Sequence, residues 1–390
     1  MVEKRDSKVY TLLILFSVLT VLFQTPQLMG IRSINYIIWP LFVFILIAFQ
    51  KFKIEYTGFG TSFLIVYSMI AIQCVTCSFF NDTFLSSNYL KITFLPLCMY
   101  WMGIQLYKWS DEELMQRFLW GYLIATVLLA ITLQMEYVPS LTAWKSIKSY
   151  LYDEKNSAAQ ILSSGILVSI FGIKGKNKPQ LCTRIASAFY LFVVIGLLQC
   201  RTAMLALAAA IFVYVFMKTK HKGIAIGLLS VALVVLYNIP IVNTFIRQAF
   251  LLNKYQGADL NTFSSGRLTN YFKTLDAFWG HPILGNGHWY VDEFFICVLA
   301  ELGIVTGGAL ILLWLARIIQ SIRSTRMSEF GLLLLTMTIY YAFTSILEAY
   351  PPFGPGSSSF LFWIINGIVD IECNTAGGYM VENERAREKT

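Results

Sequence analysis

Charged residues are scarce in this chain. Asp, Glu, Lys and Arg make up 13% of its 390 residues, whereas 57% are hydrophobic, and the mean hydropathy of +0.63 exceeds what soluble domains of this size normally reach. Apolar runs of roughly 20 residues, the length that crosses a bilayer as a helix, recur from Tyr10 almost to the C-terminus. These runs lack the alternation of barrel strands, so the sequence predicts an all-α polytopic membrane protein.

Motifs of soluble nucleotide and metal chemistry are also missing. There is no P-loop, no HExxH, no GxSxG and no paired-cysteine metal motif, and the long loops lack a D-x-D pair to hold a divalent ion. Seven cysteines are scattered over apolar stretches, and Cys74 and Cys77 fall within a predicted helix, where free cysteine behaves as a small hydrophobic residue. We therefore expect no metal, no cofactor and no disulfide framework.

The apolar runs define the predicted membrane spans. The N-terminal segment lacks a small-x-small cleavage site, so we interpret it as the first span rather than a signal peptide. Each span is expected to be a helix, and together they number about twelve. The predicted spans are residues 9–25, 33–49, 60–79, 89–107, 118–134, 157–172, 185–199, 203–217, 223–237, 302–319, 329–347 and 358–371.

The basic residues indicate the orientation of the chain. The net charge of +8 comes from short clusters between spans rather than one stripe, which argues against nucleic acid as a partner. With both termini in the cytoplasm, most of the Lys and Arg fall in inward segments, Arg317 among them. We expect one transmembrane domain over residues 1–390, with a large outward loop over 238–292 and a solvated cytoplasmic tail over 372–390. A second long outward loop runs from about 134 to 156.

The large loop contains a predicted amphipathic helix. Ser264 and Ser265 are candidate N-caps, and Gly280 and Pro282 end the pattern. Between them the apolar residues recur at helical spacing: Leu268, Tyr271, Phe272, Leu275, Phe278 and Trp279. Such a helix is expected to lie on the outer membrane surface or to cap the bundle, with Arg267 in its first turn and Lys273 on its polar side.

Two arginines in the outward segments are candidate functional residues. Arg201 lies in a very short turn at the outer membrane boundary, and Arg267 begins the loop helix. Together they would suit a polyanion, because guanidinium groups offer planar, bidentate donors to phosphate and keep their charge in a low-dielectric site. The alternatives are an interfacial arginine that snorkels at position 201 and a solvated surface arginine at position 267.

Acidic, histidine and amide side chains supply further candidates. Asp292 and Glu293 precede an apolar run, where a carboxylate is a candidate base for a sugar hydroxyl or an ordinary helix N-terminal acid. His288 is either a second candidate base or a hydrogen-bonding loop residue. Lys155 and Asn156 would bind phosphate or sugar hydroxyls, although Asn156 also fits a helix N-cap.

Four motifs in order along the chain carry a family resemblance. They are QCRTAML around Arg201, SGR at Arg267, PILGNG at 282–287, and DEFFICVLAELGIVTGG from Asp292. With the predicted spans, this set resembles the O-antigen polymerase and O-antigen ligase superfamily, particularly capsule or O-antigen polymerases. The resemblance covers most of the chain and implies a GT-C-like glycosyltransferase in a bacterial cytoplasmic membrane.

The resemblance implies a specific reaction. A polymerase transfers the growing glycan from undecaprenyl diphosphate to a sugar hydroxyl of a lipid-linked repeat unit, at the outer face of the membrane. Arg201 and Arg267 match the family's diphosphate-contacting arginines. Ligases carry a histidine where Asp292 stands, which leaves Asp292 and His288 as alternative bases and favours a polymerase. The implied catalytic residues are Arg267, Arg201 and Asp292; the implied substrate-binding residues are Lys155, Asn156, His288 and Lys273. Reaction with inversion, without a metal, is expected.

Two other functions compete with polymerisation. An O-antigen ligase would transfer finished polysaccharide to a lipid A core. A polysaccharide or lipid transporter, or flippase, would share the layout of the spans, but transporters concentrate charge and broken helices at the midplane, and no internal repeat is visible here. The expected partners are lipid-linked oligosaccharide and polysaccharide and membrane lipids, and a chain-length regulator is a further candidate.

Overall fold

The computed structural model describes residues 7–49, 57–80, 88–109, 111–137, 155–175, 177–250, 252, 259–263, 266–354 and 357–387. Within these ranges every regular element is helical. In chain order the α-helices are α1 Ser7–Leu22, α2 Asn35–Phe49, α3 Gly58–Phe80, α4 Asn88–Trp109, α5 Glu112–Tyr137, α6 Lys155–Leu167, α7 Lys178–Leu197, α8 Arg201–Lys218, α9 Lys222–Asn238, α10 Pro240–Ala249, α11 Leu260–Phe263, α12 Arg267–Gly280, α13 Phe294–Leu302, α14 Gly308–Ser324, α15 Gly331–Ser345 and α16 Phe360–Arg387.

The membrane character predicted from composition is confirmed. Six helical segments among the described residues are long and apolar enough to cross a bilayer: Met29–Ala48, Gly58–Phe80, Glu112–Glu136, Lys178–Leu197, Arg201–Lys218 and Phe294–Ser324. Large apolar side chains such as Ile72 and Val231 are exposed on these and neighbouring helices, as expected where lipid is the solvent. The chain is therefore an all-helical polytopic membrane protein, while the count of about twelve spans stays a prediction.

The predicted span 302–319 starts too late. The apolar helix begins at Phe294 and continues through a π-helical turn, Gly303–Gly307, to Ser324. Glu301, just before the predicted start, has a buried side chain whose Oε1 accepts a hydrogen bond from the Asn88 backbone N–H at 2.6 Å. The last helix also extends past the predicted boundary at residue 371, since α16 runs on to Arg387.

Close backbone contact joins α16 to α4. A Cβ atom added at Gly103 would lie 2.0 Å from the Ile364 carbonyl oxygen, and one added at Gly367 would lie 2.0 Å from the Tyr100 carbonyl oxygen. Small residues that let two backbones approach are a common basis of helix association in membranes. The pair of glycines therefore fixes α16 against α4 in the centre of the bundle, where Trp363 is fully buried.

The helix ends form two groups at opposite ends of the bundle. Lys174 Nζ lies 2.9 Å from Glu112 Oε1 and 3.0 Å from Glu329 Oε2, so the segments before α5, α7 and α15 meet at one end. The antiparallel hairpin of α14 and α15 turns at this end and returns α15 to the other end, where Glu348 follows its last turn. Glu348 contacts Thr202 in the first turn of α8.

Arg317, which the sequence analysis counted with the inward segments, is a buried residue of α14. Its side chain is 1% exposed, and its Nη1 donates to Asp370 Oδ1 on α16. Asp370 Oδ2 accepts a second hydrogen bond from Tyr100 Oη at 2.6 Å, and the guanidinium lies 5.0 Å from the Phe59 ring centroid. These polar partners explain why a charged residue is tolerated at this depth. The position of Arg317 relative to the apolar runs of the sequence does not reveal its pairing with Asp370.

Candidate functional site

Five helix ends converge on one group of polar side chains, here called the Arg267 cluster. Asn156 comes from the start of α6, Thr202 from the start of α8 and Arg267 from the start of α12. The remaining members come from the segments that flank α13 and α15: Tyr290, Asp292 and Glu348. Helices separated by up to 192 positions in the sequence thus meet at this end of the bundle.

Arg267 lies between two carboxylates. Its Nε is 3.3 Å from Asp292 Oδ2, and its Nη2 is 3.4 Å from Glu348 Oε1. The arginine side chain is 22% exposed, so the guanidinium is reachable from outside the bundle. Both contacts are long for charged hydrogen bonds, which typically measure about 2.7–2.9 Å. Among the described residues, the guanidinium is therefore held in place by two long contacts.

Glu348 is the most enclosed carboxylate of the cluster. Its side chain is 12% exposed, and Asn156 Nδ2 lies 3.2 Å from each of its oxygens. Thr202 Oγ1 lies 3.4 Å from Glu348 Oε1. Burial raises the pKa of Glu348 to about 7, although Arg267 opposes the shift. The carboxyl group therefore exchanges its proton near neutral pH.

Two tyrosines hold Asp292. Tyr290 Oη donates to Asp292 Oδ1 at 2.7 Å, and Tyr271 Oη donates to the Asp292 carbonyl oxygen at 2.9 Å. The neighbouring Glu293 serves a different purpose, because it is the N-cap of α13 and its side chain accepts from the Ile296 N–H. The helix-terminus interpretation is thus correct for Glu293, whereas the Asp292 side chain faces Arg267.

A glycine turn places this part of the loop. The PILGNG turn packs against the end of α13, where Asn286 N donates to the Ala300 carbonyl at 2.8 Å. Gly285 has φ of 71°, and a Cβ there would lie 2.4 Å from the Glu301 carbonyl oxygen; Gly303 faces it with φ of 70°. Residues with side chains rarely adopt this backbone or fit this space. The two glycines therefore fix the path that leads to Tyr290 and Asp292.

The predicted loop helix is confirmed as α12, which ends at Gly280. Its N-cap is Gly266, with φ of 82° and no side-chain cap; the candidate caps Ser264 and Ser265 lie outside the described residues. The predicted apolar stripe divides into two faces. Phe278 is buried, whereas Phe272 is 68% exposed. The helix thus packs on the bundle with one face and presents apolar side chains outward with the other.

The structure brings some predicted residues together and leaves others apart. Asn156 lies inside α6, so it is not the N-cap, and its side chain contacts Glu348. Arg201 opens α8 directly before Thr202, which places it at the same end of the bundle as Arg267. Lys155, at the start of α6, accepts a hydrogen bond from Cys200 Sγ at its carbonyl.

His288 and Lys273 lie away from the contacts of the cluster. Both residues are exposed. Lys273 is six positions after Arg267 on α12, which puts it about 240° around the helix axis. The structure therefore does not bring these two predicted substrate-binding residues into contact with the Arg267 cluster.

Glu348 is the residue that our reading of the sequence missed. It is the single charged residue between Phe330 and Val369, and it follows an apolar helix directly. The rule that drew attention to Arg201, a charge at the boundary of an apolar run, applies equally to Glu348. Tyr290 and Thr202 gave no comparable signal, since hydroxyl side chains are common at helix ends.

A large cavity lies elsewhere in the bundle. It has a volume of about 630 Å³ and is lined by residues of α3, α14 and α16, among them Phe59, Leu312 and Asp370. The lining also includes Arg323, Ser324 and Met327, so the cavity lies toward the end of the bundle where the hairpin of α14 and α15 turns. The cavity and the Arg267 cluster are therefore separate features.

Together these observations describe a polytopic membrane protein whose ionisable cluster is assembled from helix ends and a capping loop. Residues 186–296 match a protein family described as O-antigen ligase. The matched stretch runs from α7 into α13 and contains Arg201, Arg267 and Asp292. For this part of the chain, the match supports the resemblance to the O-antigen ligase and polymerase superfamily that the motifs carry, and it suggests a membrane enzyme of polysaccharide assembly. No match was found among curated proteins or solved structures.

Proposed function

We propose that the chain is a polysaccharide polymerase. It transfers a growing glycan from undecaprenyl diphosphate to a lipid-linked oligosaccharide repeat unit, at the outer face of a bacterial cytoplasmic membrane. The observation that carries the proposal is the position of Arg267, a partly exposed guanidinium held 3.3 Å and 3.4 Å from two carboxylates where helix ends meet. One site thereby offers a cation for a leaving diphosphate and a carboxylate for an incoming hydroxyl.

The arginines act on the donor. Arg267 and Arg201 neutralise the charge that develops on the diphosphate as the anomeric carbon is released, which in a site with little water stabilises the transition state strongly. Arg267 gives up part of its contact with Asp292 or Glu348 when the diphosphate binds. The length of these two contacts favours this exchange, because little interaction energy is lost.

The acceptor sugar binds on the opposite side of the anomeric carbon. A carboxylate beside Arg267 accepts the hydroxyl proton, and attack proceeds with inversion; from the sequence, Asp292 is the candidate. Asn156, a member of the cluster, and the adjacent Lys155 would contact sugar hydroxyls or phosphate, and His288 and Lys273 would contact the glycan farther out. The mechanism uses no metal ion.

A deletion strain tests the polymerase proposal against the ligase. Loss of the polymerase leaves single repeat units on the surface glycolipid. Loss of a ligase instead leaves finished polymer on the lipid carrier and no polysaccharide on the surface. The second pattern contradicts the proposal.

Reconstitution separates the proposal from transport. Purified protein in liposomes, supplied with lipid-linked repeat units and no ion gradient, is expected to form polymer. Movement of lipid-linked repeats across the bilayer without polymer would show a transporter and overturn the proposal. Buried charge in α14 and α16 is no argument for transport, because Arg317 and Asp370 neutralise each other.

A further inference from the structure

The two carboxylates beside Arg267 have different surroundings. Asp292 is 33% exposed, whereas Glu348 is 12% exposed. Asp292 Oδ2 lies 3.3 Å from Arg267 Nε and its Oδ1 accepts a hydrogen bond from the Tyr290 phenol at 2.7 Å, so each oxygen has a partner among the described residues. The contacts with Tyr290 and Arg267 therefore fix the orientation of Asp292, which suits a group that holds an arginine.

Glu348 is held more loosely. Its contacts to Asn156, Thr202 and Arg267 measure 3.2–3.4 Å. Three donors approach Oε1, but Oε2 accepts from Asn156 alone among the described residues. A carboxylate oxygen accepts about two hydrogen bonds. Oε2 therefore keeps an acceptor position for one more hydroxyl group.

We propose that Glu348 is the catalytic residue that takes the proton from the acceptor sugar hydroxyl, and that Asp292 and Tyr290 are positioning residues that hold Arg267. This assignment rests on the proposed polymerase function and changes the base expected from the sequence. The pKa of Glu348, raised to about 7 by burial, supports it, since a general base works best when its pKa is close to the pH of the reaction.

The proton and the leaving group balance in one step. The acceptor oxygen forms a bond to the anomeric carbon of the growing glycan, and the bond from that carbon to the diphosphate oxygen breaks with its electron pair. The acceptor proton passes to Glu348 Oε2. Undecaprenyl diphosphate leaves as an anion beside Arg267, and Glu348 later returns the proton to water.

Proton transfer also changes the charge beside Arg267. As a carboxylate, Glu348 competes with the diphosphate for the guanidinium, whose Nη2 lies 3.4 Å from Oε1. Once Glu348 is protonated, this competition ends, and Arg267 interacts more strongly with the departing diphosphate. Proton transfer to Glu348 thus frees Arg267 in the same step in which negative charge develops on the diphosphate. The interaction between Arg267 and the diphosphate is therefore stronger in the transition state than in the ground state.

Kinetics of reconstituted variants test this assignment. The variants are Glu348→Gln, Glu348→Asp, Asp292→Asn and a matched control, Glu136→Gln, whose carboxylate accepts from Gln27 at the end of α5. For Glu348→Gln we expect kcat to fall at least about 100-fold with little change in KM, the usual size of a general-base effect. Glu348→Asp should recover part of kcat, and Glu136→Gln should match the wild type.

The pH profile separates a base from a positioning residue. Activity of the wild type should fall as pH drops through about 7, since a protonated Glu348 accepts no proton. Asp292→Asn should keep this fall while KM for the lipid-linked donor rises. The assignment is wrong if Asp292→Asn lowers kcat strongly and removes the loss of activity below about pH 7. It is also wrong if Glu348→Gln raises KM without lowering kcat.

The two proposals fail in different ways. If the wild type forms no polymer but transfers polysaccharide to a lipid A core, the polymerase proposal fails, and the same variants then test Glu348 in the ligase reaction. Correct folding is checked by elution of each variant as a single species in detergent. Substituting glutamine keeps the size of the side chain, so a folded Glu348→Gln protein with wild-type kcat would overturn the inference.

Discussion

Two arginine–carboxylate clusters lie toward opposite ends of the hairpin of α14 and α15, and they differ in how firmly they are closed. Arg317 is 1% exposed, hydrogen-bonded to Asp370 and packed on Phe59. Arg267 is 22% exposed and lies 3.3 Å and 3.4 Å from its carboxylates. A closed buried pair fixes structure and exchanges its partners with difficulty. An open pair leaves its guanidinium available to a substrate.

The largest expected effect concerns the open cluster. Arg267→Ala should reduce long-chain polysaccharide at least about 100-fold, because removing one donor from a transition-state site typically costs that much, while protein abundance stays normal. Arg201→Ala should do the same. The matched control is Arg247→Ala, since Arg247 is exposed and contacts Asn243 on its own helix. Chain length and abundance are measured by gel and immunoblot; wild-type chain length in the Arg267 variant refutes its role.

The closed cluster should respond in the opposite way. Arg317→Ala leaves Asp370 buried without its cation, a loss of about 3–5 kcal/mol in comparable buried pairs, so abundance and Tm in detergent should fall. Replacing both partners, as Arg317→Met with Asp370→Asn, should restore part of the Tm because Tyr100 can still donate to position 370. A normal Tm for Arg317→Ala would show that the Arg317–Asp370 pair does not stabilise the fold. The proposed difference between this pair and the Arg267 cluster would then be lost.

A smaller effect is expected at the turn that aims Asp292. Gly285→Ala adds a Cβ 2.4 Å from the Glu301 carbonyl oxygen at a residue with φ of 71°, which costs about 1–3 kcal/mol locally. Activity should fall several-fold, while the Arg317–Asp370 pair at the other end of the bundle is unaffected. Gly280→Ala is the control, because nothing lies within 4 Å of its Cβ position. Equal activities of the two variants would mean that the turn does not position the cluster.

The sequence predicted the helices well because membrane spans are long and continuously apolar. It failed where a polar contact compensates a charge inside a helix. Glu301 was left outside the predicted span 302–319 and Arg317 was counted with the inward segments, yet both side chains are buried, in contact with Asn88 and Asp370 respectively. Such pairing links positions far apart in the chain, so no local pattern reveals it.

The site was predicted in part for a similar reason. Arg267 and Asp292 follow recognisable motifs, and their contact confirms that the two segments meet. Glu348 lies 81 positions after Arg267 and joins the cluster only because α15 returns to the same end of the bundle. The general boundary rule would have selected Glu348, but its partners follow from tertiary packing.

Binding of a polyprenyl diphosphate to purified protein tests most directly whether the open cluster is the place of sugar transfer. The wild type and the folded double variant Arg317→Met, Asp370→Asn should bind with similar Kd. Arg267→Ala should bind at least about tenfold more weakly, since charge-assisted contacts to phosphate are each worth about 1.5–3 kcal/mol. Unchanged affinity in Arg267→Ala, with weaker binding in the double variant, would contradict the account.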